Sequence, residues 1–508
     1  MVGSRCARWS GAAFALWASL SAGVEPIRLG SGLTVVEVKL GANAQAVTAG
    51  TVSYPHPRPR LTGFSPLVAI TTSNKHSPKD IDYEHDTTTF YDCNLGAPSG
   101  STCGALRPPA NANYVIGILD SGSVVDLAAG SGATALGLTG NYLTSNVVPI
   151  GGVGGETDAL VTQPVGFYVQ GLTTVGSSGL LDTTSMVGHT NVSALVAPPI
   201  VCGGVELVSA FVGTPLIAFF NTIIRVDTPI SVGHDGRIFS GPSVQIQGQS
   251  STLPEFDRAF AMEVGGISAV TTCSYYPDFE DLVTPIVPTQ LSFTPISFPT
   301  GGVFFSNVQA RMGESSGTNF PITMRLMVDT GAQASIISLA MAAELNLPLE
   351  PDFTISACGV GGLIEGIPGY YIDYVRINAY GGPMEFSRAP FVVLDLLSPE
   401  GGGLDGVLGM NFFWNRNVIF EPSLSFSSFF HVSDSLRIDY GDYDADYRVS
   451  LGDAAGFALC RTGVVSAPLT PDCESLDVDA NGTLDLLDFA RLQNCFSGDQ
   501  PADPLCGG

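Results

Sequence analysis

Basic residues are scarce in this chain. Of 508 residues only 21 are Lys or Arg, against 47 Asp or Glu, giving a net charge of −26. Lysine occurs only at Lys39, Lys75 and Lys79. That balance argues against a nucleic-acid binder, because phosphate contacts need a basic surface. Charge of either sign is thin, at 13%, which rules out a coiled coil. No C-x-x-C spacing occurs, so zinc knuckles and thioredoxin-type redox chemistry lack their pattern. No G-K-[ST] accompanies the glycine-rich runs, so they are not phosphate loops. Three tryptophans are few for the sugar cleft of a glycan hydrolase, a class that also works with paired acids. What is plentiful is glycine, at 60, and proline, at 34, with 45% hydrophobic residues. This is the composition of a turn-rich, β-rich protein with ample core. The length allows two to four domains of roughly 150 residues.

The N-terminus reads as an export signal over residues 1–23. Arg5 and Arg8 are a basic start, Gly11 to Leu20 is short and apolar, and Ser21, Ala22 and Gly23 offer a cleavage site. The alternative is a buried first helix. Export implies a secreted or cell-surface protein. Leu207 to Ile224 carries no charge, but Gly213 and Pro215 interrupt it and Asn221 and Thr222 are polar. A buried pair of core strands is expected there rather than a membrane span. An exported chain keeps disulfides. Sequence proximity suggests Cys93 with Cys103, Cys460 with Cys473 and Cys495 with Cys506. Cys202 with Cys273 is the remaining expectation, leaving Cys358 as a free thiol.

The chain repeats itself once. Tyr114 to Gly122 reads Tyr-Val-Ile-Gly-Ile-Leu-Asp-Ser-Gly, and Ile322 to Gly331 reads Ile-Thr-Met-Arg-Leu-Met-Val-Asp-Thr-Gly. Each is an apolar strand ending on an acid, a hydroxyl residue and a glycine. At closely similar spacing come Gly152-Val153-Gly154-Gly155 and Gly359-Val360-Gly361-Gly362. An aromatic strand follows each, and then Phe211-Val212-Gly213 or Val407-Leu408-Gly409. Two homologous β-rich halves are the simplest reading. Helix signals are few, the best being Leu339 to Leu345.

Two such lobes would bring one carboxylate each, Asp120 and Asp329, to a shared interface. Two carboxylates in one site do not both ionise easily, so one keeps a proton. The ionised one can take a proton from water while the protonated one hydrogen-bonds a carbonyl, which is general acid–base hydrolysis of a peptide bond. Ser121-Gly122 and Thr330-Gly331 suit tight loops in which backbone N–H groups reach the carboxylates. Asp-Ser-Gly and Asp-Thr-Gly after apolar strands resemble the active-site loops of aspartic proteases. Pro149 to Gly155 resembles the glycine-rich flap of retropepsins, and Leu408-Gly409-Met410-Asn411 is similar to the stretch where the retropepsin helix begins. The resemblance covers about Pro57 to Ser423. It implies Asp120 and Asp329 as the catalytic dyad, a polypeptide substrate, and flaps at Gly152 to Gly155 and Gly359 to Gly362. Two departures stand out: Asp126 lies where the second half has Ser335, and Gly213-Thr214-Pro215 lacks an equivalent of Asn411. An extra acid at 126 either raises a dyad pKa or points outward, and a decayed first lobe is the corresponding alternative. Gly313 to Gly317 fits G-x-S-x-G, but a nucleophile elbow needs a helix next and Pro321 follows, so a hairpin turn is expected.

Composition shifts after about Ser435. Asp442, Asp444, Asp446 and Asp453 place acids at loop positions 1, 3, 5 and 12, and Asp477, Asp479, Asn481 and Asp488 repeat the pattern. Oxygen ligands at these positions, with the carbonyl of position 7 (Arg448 and Thr483), encircle Ca²⁺. Helices are expected at Ala454 to Cys460 and Phe489 to Cys495. The tail resembles a type I dockerin domain, which implies two Ca²⁺ sites and a cohesin-type protein partner. The expected architecture is mainly β: a bilobal, aspartic protease-like double β-barrel with pseudo-twofold symmetry, plus a small α-helical calcium-binding domain. Its expected parts are a signal (1–23), an N-terminal lobe (24–226), a connection (227–299), a retropepsin-like lobe (300–430) and the dockerin-like tail (436–508). The leading reading is an exported aspartic endopeptidase. The alternative is a catalytically inactive protease-like scaffold or adhesion protein attached through its tail.

Overall fold

The computed structural model describes residues 27–28, 33–40, 56–73, 113–162, 165–173, 186–192, 194–202, 204–206, 208–218, 220–248, 251–264, 302–313, 321–396, 403–422, 428–434, 441–443, 448–460, 473, 476 and 484–498. The chain is mainly β. A ten-stranded and a thirteen-stranded sheet carry the two halves of the sequence repeat.

The repeat is one of topology. In the first half Val115–Leu119 is buried along its length. Ala210–Val212 lies parallel to it, with Phe211 opposite Ile118 and Val212 opposite Leu119. In the second half Gly406–Leu408 lies parallel to Ile322–Val328, with Val407 opposite Met327 and Leu408 opposite Val328. The other edge of each central strand has an antiparallel neighbour, Leu67–Ser73 or Val303–Arg311, and strands covered on both faces favour apolar runs. After each acid a short strand, Leu127–Ala129 or Ile336–Ile337, returns antiparallel to that partner. A short helix follows, Gly130–Ala135 or Leu339–Glu344. The second is capped by Ser338, whose Oγ accepts the Met341 N–H at 3.2 Å. Each half then sends out a hairpin, Leu143–Gly152 with Gly155–Thr162, and Phe353–Gly359 with Gly362–Ile377. Buried side chains of both halves, among them Leu119, Phe167 and Val212 with Val328, Phe391 and Leu408, form one cluster.

Several segments depart from expectation. Leu207 to Ile224 holds two largely buried strands, Ala210–Val212 and the start of Phe220–His234, but they lie in different sheets and one helical turn, Thr214–Ile217, with Pro215 in the first turn, separates them. Proline is tolerated there because the first N–H groups of a helix have no intrahelical partner. Among the described residues no helix is long and apolar enough to cross a membrane. The connection is structured, with Phe220–His234 and Arg237–Gly248 forming a long hairpin. That hairpin pairs with Val418–Glu421 of the second lobe, and its Val244 N–H donates to Leu172 O of the first at 2.8 Å. Within the span assigned to the first lobe, Thr34–Leu40 instead completes the edge of the second sheet, while Ile27–Arg28 edges the first. The G-x-S-x-G stretch joins two antiparallel strands, Val303–Arg311 and Ile322–Val328. Its residues from Glu314 to Gly317 lie outside the described residues.

Cysteine pairing differs too. Cys202 is bonded to Cys358, not to Cys273, and Cys358 is therefore not a free thiol. Folding brings the arm of the second hairpin against the short Val201–Cys202 and Val205–Glu206 ribbon of the first lobe, with Cα atoms 6.2 Å apart. Sequence proximity carries no signal of a bridge across 156 residues. Cys460–Cys473 forms as expected. Cys495 is disulfide-bonded, and its partner, like Cys93 and Cys103, lies outside the described residues.

Among its described residues the tail has the helices Leu451–Cys460 and Leu486–Asn494, packed around Val449, Phe457, Leu476, Leu484 and Leu492. Both begin three residues or so before the expected start. Asp485 is the N-cap of the second helix, and its capping box with Asp488 places Asp488 inside the first turn. The tail meets the body through Arg60, whose Nη2 donates to Tyr443 O at 2.9 Å.

Candidate active site

Asp120 and Asp329 each end a buried central strand, and both are buried. The backbone holds them alike. Asp120 N–H donates to Val212 O at 2.8 Å, and Asp329 N–H donates to Leu408 O at 3.0 Å. Asp120 Oδ1 accepts the N–H groups of Gly122 and Ser123 at 2.9 and 3.0 Å. Asp329 Oδ1 accepts those of Gly331 and Ala332 at 2.8 and 3.1 Å.

The hydroxyl residues lock the two loops together. Ser121 Oγ donates to Val328 O at 2.8 Å and accepts the Thr330 N–H at 3.0 Å. Thr330 Oγ1 donates to Leu119 O at 2.6 Å and accepts the Ser121 N–H at 2.9 Å. These four bonds cross the pseudo-twofold axis in a reciprocal pattern. Gly331 is needed for close approach, since a Cβ there would sit on the Asp120 carboxylate. A side-chain hydrogen bond joins Asp120 to Asp329. Burial, then the Asp329 charge and that bond, hold the Asp120 carboxyl well above the ordinary range, against the lowering effect of the Gly122 and Ser123 N–H groups.

The second ring of contacts breaks the symmetry. Ser335 Oγ accepts the Gly409 N–H at 2.9 Å and donates to Asn411 Oδ1 at 2.7 Å. Asn411 Nδ2 in turn donates to Arg60 O at 3.1 Å. In the first lobe Asp126 Oδ1 takes the Gly213 N–H at 2.9 Å in the place of Ser335. Asp126 therefore turns to the strand behind the loop, neither outward nor onto the dyad. Burial pushes its carboxyl up to about 7, with the Gly213 N–H pulling the other way.

The two glycine-rich turns meet. Gly361 N–H donates to Val153 O at 3.0 Å. A Cβ on Gly154 would strike the backbone of Gly361 and Gly362, and one on Gly361 would strike Gly154 and Gly155. Gly154 has φ +90, Gly155 +114 and Gly362 +108, a left-handed region that favours glycine. Gly152 and Gly359 end the incoming arms, and Val153 and Val360 are buried at the tips.

Of the expected calcium ligands, Asp442, Arg448, Asp453 and Asp488 are described, whereas Asp444, Asp446, Asp477, Asp479, Asn481 and Thr483 lie outside the described residues. Asp453 and Asp488 are fully buried and alike. Asp453 Oδ2 accepts the Ser450 N–H at 2.6 Å, and Asp488 Oδ2 accepts the Asp485 N–H at 2.9 Å. Asp453 Oδ1 also takes the Tyr443 N–H at 2.6 Å, tying the helix back to its loop.

Sequence reasoning missed Gln333, four residues after Asp329. Its N–H donates to Leu33 O at 2.9 Å, and its Oε1 accepts the Val35 N–H at 2.9 Å. Polarity beside an active-site loop was the available signal, but its partner is three hundred residues distant in the chain.

Comparison with known proteins agrees with this geometry in the second lobe. Residues 310–412 match a family model described as aspartyl protease. No curated protein matches the chain. Among solved structures, an aspartic proteinase from Irpex lacteus aligns with 65% of this chain and 97% of its own, at 12% identity and a TM-score of 0.32.

Proposed function

We propose that this protein is an aspartic endopeptidase, working through Asp120 and Asp329. The observation that carries the reading is the reciprocal lock between Ser121 and Thr330, which fixes two buried, hydrogen-bonded carboxylates at a pseudo-twofold axis. The raised Asp120 carboxyl favours a proton held on Asp120, hydrogen-bonded to Asp329. In the reaction the ionised carboxylate takes a proton from water as its oxygen bonds to the peptide carbonyl carbon. The protonated carboxyl gives its proton to the carbonyl oxygen. Collapse of the tetrahedral species breaks the C–N bond: the amine leaves with the proton that was taken from water, and a hydroxyl of the diol returns its proton to the other carboxylate. The meeting flaps exclude water and hold an extended chain.

The tail fits calcium. Oxygen donors suit a hard cation, and two buried carboxylates occupy the same position in two equivalent helices. Asp442, Asp444, Asp446, Asp453 and the Arg448 carbonyl would hold one ion. Asp477, Asp479, Asn481, Asp488 and the Thr483 carbonyl would hold the other. Bound ions would neutralise the acids and order the loops. A dockerin-like tail would then attach the enzyme to a cohesin-type partner, and the N-terminal signal would export it.

The test is cleavage of an unfolded-protein library from acid to neutral pH, with Ca²⁺, by wild type and Asp329→Asn. The expected outcome is cleavage by wild type, blocked by a pepstatin-type inhibitor and reduced on the order of 10³-fold or more in the variant. Equal cleavage by both would assign the activity to another site.

A further inference from the structure

Residues 57–63 run as an irregular strap behind the loop that carries Asp329. Pro57 O accepts the Ser387 N–H at 3.0 Å, and Gly63 N–H donates to Gln333 O at 2.6 Å. Leu61 is buried, clustered with Ala332 and Ala334. A Cβ on Gly63 would strike the backbone of Met410 and Asn411. Between these contacts Arg60 O accepts Asn411 Nδ2 at 3.1 Å. Asn411 Oδ1 accepts the Ser335 hydroxyl, whose oxygen is thereby turned to the Gly409 N–H. Leu408, one residue earlier, accepts the Asp329 N–H. The support of Asp329 is thus completed by a carbonyl from the strap. The first lobe has no such link, since Asp126 takes the Gly213 N–H directly.

The side chain of Arg60 faces the other way, into the C-terminal tail. It is only 4% exposed. Its guanidinium lies 5.2 Å from the ring centroid of Trp414, close enough for a cation–π contact. Its Nη2 donates to Asp442 O at 2.5 Å and to Tyr443 O at 2.9 Å. Those carbonyls belong to the packed part of the tail. Tyr443 N–H is held by Asp453 Oδ1, and its ring fills the space over Gly456. A Cβ on Gly441 would strike Leu492. A guanidinium does not give up its charge, and a buried charge needs acceptors. Withdrawal of the tail would strip Arg60 of these two carbonyls, so the docked tail and the strap stabilise each other.

We propose that the C-terminal module is a docked brace of the active site, and that Arg60 is the positioning residue through which it secures the loop carrying Asp329. This rests on the endopeptidase reading and adds a positioning residue to it. The module then does more than attach the enzyme to a partner: whatever lifts it from the body loosens one of the two acid loops and leaves the other as it was.

The experiment uses the full chain at one fixed Ca²⁺ concentration. Wild type is compared with Arg60→Met, which keeps the long stem and the backbone carbonyl but has no donor. Trp414→Leu is a second variant in case the first does not fold. In either variant kcat is expected to fall about tenfold with KM within about twofold of wild type. Hydrogen exchange is expected to quicken together at residues 441–443 and at Gly409, while Gly213 keeps its rate. Arg60→Lys, which restores a cation and a donor, is expected to recover part of both effects. In an Asn411→Ala background, where strap and loop are already parted, Arg60→Met is expected to cost no further kcat. Faster exchange at residues 441–443 with kcat and Gly409 unchanged overturns the proposal, because the module would dock without bracing the loop. An equal loss of kcat from Arg60→Met in both backgrounds overturns it as well. Exchange that quickens at Gly409 with residues 441–443, with no cleavage by any form, would keep the brace and overturn the endopeptidase reading instead.

Discussion

At the scale of single residues, the two lobes differ most at Asp126. A serine with an asparagine partner does the equivalent task at Ser335, and a buried carboxylic acid does it in the first lobe. An acid raised to about 7 in the folded chain, against an ordinary value of ~3.9, binds its proton more tightly when folded. Below about pH 4 both states are protonated and Asp126 costs nothing through ionisation. As pH rises through the window up to about 7, the unfolded chain ionises first and stability falls; above that the loss is constant. Its size is on the order of 4 kcal/mol, about three units at 1.36 kcal/mol each. Asp126→Asn keeps an acceptor for the Gly213 N–H and cannot ionise. Denaturant titrations at about pH 4 and pH 8 should show wild type losing that much more stability than the variant between them. Parallel pH dependence in the two proteins would show that Asp126 does not hold its proton on folding. The sequence showed the extra acid but not its direction. That depended on Gly213 N–H, which local patterns do not place.

At the scale of elements, the central strands, the acid loops and the flap turns were legible because each has a local cause. The strands are largely apolar runs buried between one parallel and one antiparallel neighbour, and the turns need glycine at positive φ. The edge pairings of Ile27–Arg28 and Thr34–Leu40 were not legible. An edge strand joins a distant partner through backbone bonds, and those leave little mark on side-chain pattern. The flaps offer a test at this scale. A methyl group on Gly361 would meet the backbone of Gly154 and Gly155, which moves only if the tips part. Gly361→Ala should therefore weaken closure over substrate, lowering kcat/KM for long peptides by about tenfold, or ~1.4 kcal/mol of transition-state stabilisation. Global stability should change by less than about 1 kcal/mol, since the tip lies away from the large core. Steady-state kinetics beside a thermal melt separates the two effects, and an equal loss in both would place the tip contact in the fold rather than in closure.

At the scale of the whole molecule, the links between the lobes include, beside the shared core and the flap-tip contact, the reciprocal hydroxyl bonds under the dyad, the hairpin that continues from one lobe to the other, and the Cys202–Cys358 bond. The disulfide differs in kind, because it ties the arm of the second flap, one residue before its glycine turn, to the opposite lobe. The first flap has no such anchor among the described residues. A crosslink closing 156 residues limits the unfolded chain strongly, by about 5 kcal/mol in the chain-entropy account, with measured values commonly 2–4. Paired replacement, Cys202→Ser with Cys358→Ser, should lower unfolding stability by about that measured amount. It should also have a local effect that a purely global brace would lack. Hydrogen exchange should quicken at residues 358–362 well beyond the change at residues 151–155, because only the second arm loses its anchor. Equal quickening of both flaps would mean that the bond stabilises the molecule as a whole. A selective effect would mean that the two flaps, alike in sequence, open differently, and that entry to the cleft is governed from the side of the first lobe.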